Sequence, residues 1–144
     1  MGASTSLLYA SKHTDIAAMV LDSPFARFSV LFKDIAGGFG IPEFFVKGFY
    51  NFARENLETK HEIDIEKLNP IEGLDKVKIP ALFIHASNDK LVLSKHSDEI
   101  CAVYGGPKEK VNFTGIPLDN AHNAPRPEEV CTKIFKFLIT NAKA

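Results

Sequence analysis

Tryptophan is absent from this sequence, cysteine and methionine occur twice each, and neither sign of charge dominates. Seventeen Lys and Arg against eighteen Asp and Glu leave a formal charge of -1. No global field therefore draws the chain to nucleic acid or to an anionic membrane. No basic stripe with interleaved aromatics is present either, so nucleic acid is not an expected partner. No apolar run approaches the ~20 residues of a membrane span. The N-terminus lacks the charged region and long hydrophobic stretch of a signal peptide, and a cytoplasmic location is the expectation. Cys101 and Cys131 are too few for a disulfide framework. Both fall on apolar faces of predicted helices, where reduced, buried thiols are expected. No set of His, Cys, Asp and Glu has metal-ligand spacing, so neither a metal nor another cofactor is expected. Asn112-Phe113-Thr114 matches a glycosylation acceptor by pattern alone, inside a predicted strand.

What is present is apolar: 45% of residues are hydrophobic, and 12 are Phe. The 144 residues suit a single domain spanning 1–144, long enough to bury a sizeable core. Residues 3–12 read as a short helix. The unbroken apolar run Ile16–Leu21, ended by Asp22-Ser23-Pro24, reads as a buried parallel strand. Two aromatic-rich helices follow over roughly 26–36 and 42–57, split by "GGFGIP", in which the glycines form a joint rather than a phosphate cradle. Residues 58–69 are charged and predicted to be surface. "IPALFIHAS" (79–87) is the clearest strand, with Pro80 at its start. A helix over 94–105 has Ser94 as its expected N-cap and Gly105 as its stop. Residues 109–116 form a third strand. Residues 126–141 form an amphipathic helix with Val130, Ile134, Phe137 and Leu138 on one stripe. Strands alternating with helices predict an α/β fold: a parallel three-stranded sheet with flanking helices and a helical insertion over about 25–58.

Two loops stand out because each follows a predicted strand, where ligands and catalysis gather in parallel sheets. Asp89 lies just past the 79–87 strand, and His122 lies in the loop past the third. Neighbouring strand ends bring such a pair within reach, and a buried carboxylate orienting an imidazole makes a general base. Asp119 is a competing partner for His122, further from a strand end. Ser4 and Ser6 sit at helical positions that bury or cap their hydroxyls, which argues against either as a nucleophile. Ser23 reads as a turn residue. His13, His61, His85 and His96 read as ordinary surface or core histidines, with His85 inside a strand. The phenylalanines of the insertion have two readings: a cap over an apolar pocket, or ordinary core.

The segments "IPALFIHASNDKLV" and "AHNAPRP" resemble the acid and histidine segments of the α/β-hydrolase superfamily, and most closely its serine aminopeptidase-like and acyl-hydrolase-like branch. "MGASTSLLYA" and "MVLDSPFARF" resemble the stretches that follow the nucleophile elbow there. The sequence departs from that pattern at Ala86 and at Asn120-Ala121, where glycine is usual in the family. The resemblance spans essentially the whole chain and the second half of the family fold. It implies Asp89 as triad acid and His122 as triad base. It implies the backbone N–H of Met1 as an oxyanion donor, and a nucleophilic serine immediately before Met1, outside this sequence. The 25–58 insertion would then be the family's cap, and small-molecule or peptide acyl compounds the substrates of the complete protein. The expected role is that of a C-terminal serine-hydrolase fragment, inactive alone. The alternative is a non-catalytic binding or interaction module. Without the strand that precedes the elbow, residues 16–21 would form an exposed apolar edge open to self-association.

Overall fold

In the computed structural model, which describes residues 1–61 and 64–141, the strands form one parallel sheet in the order β1-β2-β3. The elements in chain order are α1 (Gly2–Ala10), β1 (Met19–Asp22), α2 (Phe28–Gly38), α3 (Glu43–His61), β2 (Ala81–Ala86), α4 (Lys95–Val103), β3 (Lys108–Phe113) and α5 (Glu128–Asn141). Short 3₁₀ turns at Ile65–Lys67, Leu74–Lys76 and Leu118–Asn123 join them.

The central strand β2 is buried along its whole length. It pairs with β1 from Met19 opposite Ala81, and with β3 from Ala81 opposite Lys108. An apolar run without alternation suits a strand covered on both faces, and two separate cores cover it. On one face Leu7 and Ala10 of α1 and Ile100 of α4 meet Met19, Leu21, Ala81 and Phe83. On the other, Val130 and Ile134 of α5 meet Val20, Ile84, Ala86, Val111 and Phe113. Side chains two apart along each strand share a face, so both cores follow from one alternating register.

The first strand is shorter than its apolar run suggests. Residues 16–21 were the expected edge strand, but β1 starts at Met19, whose N–H donates to the Pro80 carbonyl at 2.9 Å. Ladder pairing begins only where β2 supplies acceptors. Ile16, in the segment before that, packs against the core instead. Among the described residues β1 pairs with β2 alone.

Three local expectations also change. Ser94 precedes α4, but its hydroxyl makes no capping hydrogen bond. Gly105 does not stop α4 through a left-handed turn. Its N–H donates to the Leu74 carbonyl at 2.8 Å, and a Cβ there would fall onto the Asp75 carbonyl oxygen. Close backbone approach, rather than turn conformation, is what requires glycine there. Cys131 is exposed and Cys101 half-buried, both free. The stripe of α5 that faces the sheet is centred on Val130 and Phe137, and the next residue along a helix is turned about 100° away.

Tyr104 ties the end of α4 to the start of β2. Its phenol donates to the Ile79 carbonyl at 2.6 Å, and its ring meets Phe83 edge-on at 5.5 Å. Burial pushes this phenol up to about 12. A folded-state value above the ordinary ~10 means that the unfolded chain loses its proton first. The contribution is therefore complete below pH ~10 and lost between about 10 and 12. Urea titrations across that range should show this alkaline slope in the native chain and a shallower one in Tyr104→Phe. Equal slopes would refute the assignment.

Candidate functional site

Parallel strands point their carboxyl ends to one edge of the sheet, and the loops leaving those ends assemble the site there. After β2, the turn 87–92 carries Asp89. After β3, Gly115 and the cis Ile116–Pro117 peptide lead into the 3₁₀ turn carrying His122. Asn88 joins the two loops. Its Nδ2 donates to the Gly115 carbonyl at 3.0 Å, and the Gly115 N–H donates back to its Oδ1 at 2.8 Å. A Cβ on Gly115 would lie 2.7 Å from Cα and Cβ of Ala121, the residue before His122. Only glycine lets the two stretches of chain approach this closely.

With the loops locked together, His122 Nδ1 stands 2.7 Å from Asp89 Oδ2, although the residues are 33 positions apart. A carboxylate only accepts hydrogen bonds, so Nδ1 carries the proton, and the neutral ring presents the Nε2 lone pair. Among the described residues Nε2 has no partner. The other carboxylate oxygen, Oδ1, accepts from the N–H groups of Leu91 at 2.8 Å and Val92 at 3.0 Å. The Asp89 side chain is wholly buried, while that of His122 is 31% exposed. A fixed, buried acceptor behind a part-exposed imidazole is the arrangement a general base needs. The Asp119 side chain lies outside the described residues.

Arg126 holds the histidine loop from behind. Nε and Nη2 donate to the two carboxylate oxygens of Asp22, at 2.7 and 2.8 Å, across 104 positions of sequence. Nη1 donates to the Ala124 carbonyl at 2.5 Å, and the guanidinium lies 4.9 Å from the Phe113 ring centre. Hydrogen bonding to Asp22 raises the Arg126 pKa further. One planar cation thereby clamps the end of β1, the end of β3 and the histidine loop. The sequence reading missed Asn88, Gly115, Asp22 and Arg126, because their roles lie in contacts between distant loops. The Arg126-Pro127 step beside His122 was the nearest signal.

Met1, the third residue singled out, is exposed at the start of α1. That end of α1 lies at the carboxyl end of β1, since Ser4 Oγ both accepts from Phe25 N–H at 2.8 Å and donates to Phe25 O at 3.2 Å. Ser4 is thus fully engaged, and Ser6 donates to the Gly2 carbonyl within its own helix. Ser23 sits in a tight turn at φ 48°, its hydroxyl on Asp22.

A cleft of about 580 Å³ opens beside His122, walled by Asp34, Ile35 and Phe39 of the α2 region and by Leu91 and Leu93. Helix α2 is moored there by two ion pairs, Arg27 to Glu99 at 2.8 Å and Asp34 to Lys95 at 2.7 Å, and the Asp34 carboxylate also lies 3.1 Å from the buried His96 ring. Burial pushes His96 below the usual imidazole range. The phenylalanines of α3 do not form ordinary core. Phe44, Phe45, Phe49 and Phe52 are all more than 60% exposed. Phe32 stacks on Phe49, and with Phe44 and Phe45 they line an open apolar groove of about 680 Å³. Among the described residues no His, Cys, Asp and Glu group is arranged to hold a metal ion, and no helix is long and apolar enough to cross a membrane.

No family model matches the sequence. The uncharacterized protein YqkD of Bacillus subtilis (strain 168) is 28% identical over 111 residues, which are 75% of this chain and 35% of that protein. Among solved structures, the acylaminoacyl peptidase of Pyrococcus horikoshii superposes on 97% of this chain with a TM-score of 0.66 at 16% identity, over 22% of its own length. Acetyl xylan esterase 1 from Thermoanaerobacterium sp. JW/SL YS485 superposes on 99% with a TM-score of 0.66 at 10% identity, over 43% of its length. The α/β hydrolase enzyme MGS-M2, from a Medee basin deep-sea metagenome library, superposes on 99% with a TM-score of 0.56 at 18% identity, over 62% of its length. The likeness is one of fold. The chain has an α/β-hydrolase architecture and spans about a third of the curated relative's length.

Proposed function

We propose that this chain carries the acid and the base of a serine-hydrolase relay, Asp89 and His122, and that the attacking serine is supplied from outside residues 1–144. The observation that supports this above all others is the 2.7 Å Nδ1–Oδ2 bond between a buried carboxylate and a histidine bordering a cleft. A peptidase and an esterase with the same fold both cleave acyl compounds by their printed names, which agrees with this chemistry.

In the proposed reaction the serine Oγ attacks an ester, thioester or amide carbonyl, and its proton passes to His122 Nε2. Asp89 steadies the imidazolium, which then returns the proton to the leaving alcohol, thiol or amine. Water repeats the cycle on the acyl-enzyme. The backbone nitrogen of Met1, at the start of α1, would be the first oxyanion donor, in the position where a helix N-terminus favours negative charge. Substrates would be small-molecule or peptide acyl compounds, met in the cytoplasm and without a cofactor.

A second reading, a non-catalytic binding module, is favoured by the exposed aromatic groove of α2 and α3. One experiment separates the two. The chain alone should not turn over p-nitrophenyl acetate. The chain extended by the sequence encoded upstream of Met1 should do so and should react with a fluorophosphonate probe. Exchange of His122 for Ala should then cut turnover by about 10³-fold or more. An upstream sequence without a G-x-S elbow, or an extended chain inert to the probe, would leave the binding module as the better reading.

A further inference from the structure

We propose that His85, held by Ser97, is a positioning residue that sets the geometry of the Asp89–His122 pair through the backbone of Val92; this rests on the relay reading above. His85 is fully buried in β2 and Ser97 fully buried in α4. Its Nε2 lies 2.7 Å from the Val92 carbonyl and its Nδ1 2.5 Å from Ser97 Oγ. A carbonyl can only accept, so Nε2 carries the proton and the neutral ring accepts from the serine hydroxyl at Nδ1. Burial favours that neutral state, pushing the imidazole below its ordinary range.

Val92 is the hinge of the inference. Its carbonyl is held by His85, and its N–H donates to Asp89 Oδ1 at 3.0 Å. The two ends of this one residue link a rigid strand to the catalytic carboxylate. The same Nε2 also comes within 3.8 Å of Asp89 Oδ2, the oxygen that serves His122. The chain of contacts therefore runs Ser97, His85, Val92, Asp89, His122, and each step is a directional hydrogen bond. A carboxylate held at Oδ1 leaves Oδ2 free to face the imidazole, and a small rotation of the turn would lose that aim. A filler in the same place would need only the volume of the ring. A positioning residue needs the Nε2 donor.

The test uses the full 144-residue chain and proton NMR at low temperature. The hydrogen-bonded Nδ1 proton of His122 should appear as a downfield, slowly exchanging resonance in the native chain and vanish in Asp89→Asn. Gln places an amide nitrogen close to the native Nε2 position, whereas Asn reaches only as far as Nδ1. His85→Gln should therefore keep the resonance, while His85→Asn and His85→Ala lose it, with the dispersed methyl signals of the core retained. Equal behaviour of the Gln and Asn variants, or persistence of the resonance in His85→Ala, would overturn the proposal. Where the His85 variants fail to fold, Ser97→Ala decides: a weakened or shifted resonance supports the proposal and an unchanged one refutes it. Absence of the resonance from the native chain would instead defeat the relay reading itself.

Discussion

Exchange of Asp89 for Asn in the extended, serine-bearing protein is expected to lower ester hydrolysis by about 10⁴-fold while leaving the fold intact. Asn keeps one carbonyl oxygen, which can still accept from Leu91 and Val92 N–H as Asp89 Oδ1 does. The turn therefore keeps its shape. What changes is the group facing His122 Nδ1, where an amide N–H₂ now stands in place of Oδ2. The donor forces Nδ1 to accept, and the ring proton moves to Nε2, the nitrogen that must take the serine proton. The base is then present but holds the wrong tautomer. Asp89→Ala should add a structural cost, because it strands the two backbone donors and leaves His122 without its buried partner. Rates with p-nitrophenyl acetate and urea midpoints for both variants separate the two effects. Native-like turnover in Asp89→Asn would remove Asp89 from the relay.

The largest expected loss of stability comes from Phe83→Ala. Phe83 lies at the centre of β2 with no exposed surface, against Leu7, Leu21, Ile100 and the edge of Tyr104. Removing a buried ring leaves a cavity that two flanking helices and a paired strand cannot close. The cost should be about 3–5 kcal/mol, a large share of the ~5–15 kcal/mol typical of a domain. Urea unfolding should show a much lower midpoint at similar slope. A shift equivalent to less than about 1 kcal/mol would mean that the α1 and α4 layer is not packed as described.

The sites of both variants are visible in the sequence, and the residues that support Asp89 are not. Phe83 sits in the apolar run Ala81–Ile84 that follows Pro80, and such a run between turn signals has few fates other than a buried strand. The alternation of strand and helix patterns then leaves little freedom in the topology. Asp89 and His122 were legible for a related reason: each directly follows a strand pattern, and parallel strands bring such loops to one edge. Asn88, Gly115, Asp22 and Arg126 carry no such signal. A loop Asn beside an Asp, or an Arg before a Pro, looks the same whether it clamps two loops or faces water.

The phenylalanines of the insertion show the limit from the other side. Their spacing marks helices, but not which face would be covered, and the structure leaves Phe44, Phe45 and Phe49 open. Cys131 and Ser94 went the same way: the helix was legible, and the environment of the individual side chain was not.

By itself, then, the sequence determined the layered α/β fold, the order of its elements and the two loops able to carry an acid and a base, because hydrophobic periodicity and strand-end position are local properties of a chain. Tertiary structure alone decided that the carboxylate and the imidazole meet, which histidine backs them, and which aromatics stay uncovered. Those outcomes depend on distances between residues up to 104 positions apart, and such distances are set only when the sheet brings its strand ends together.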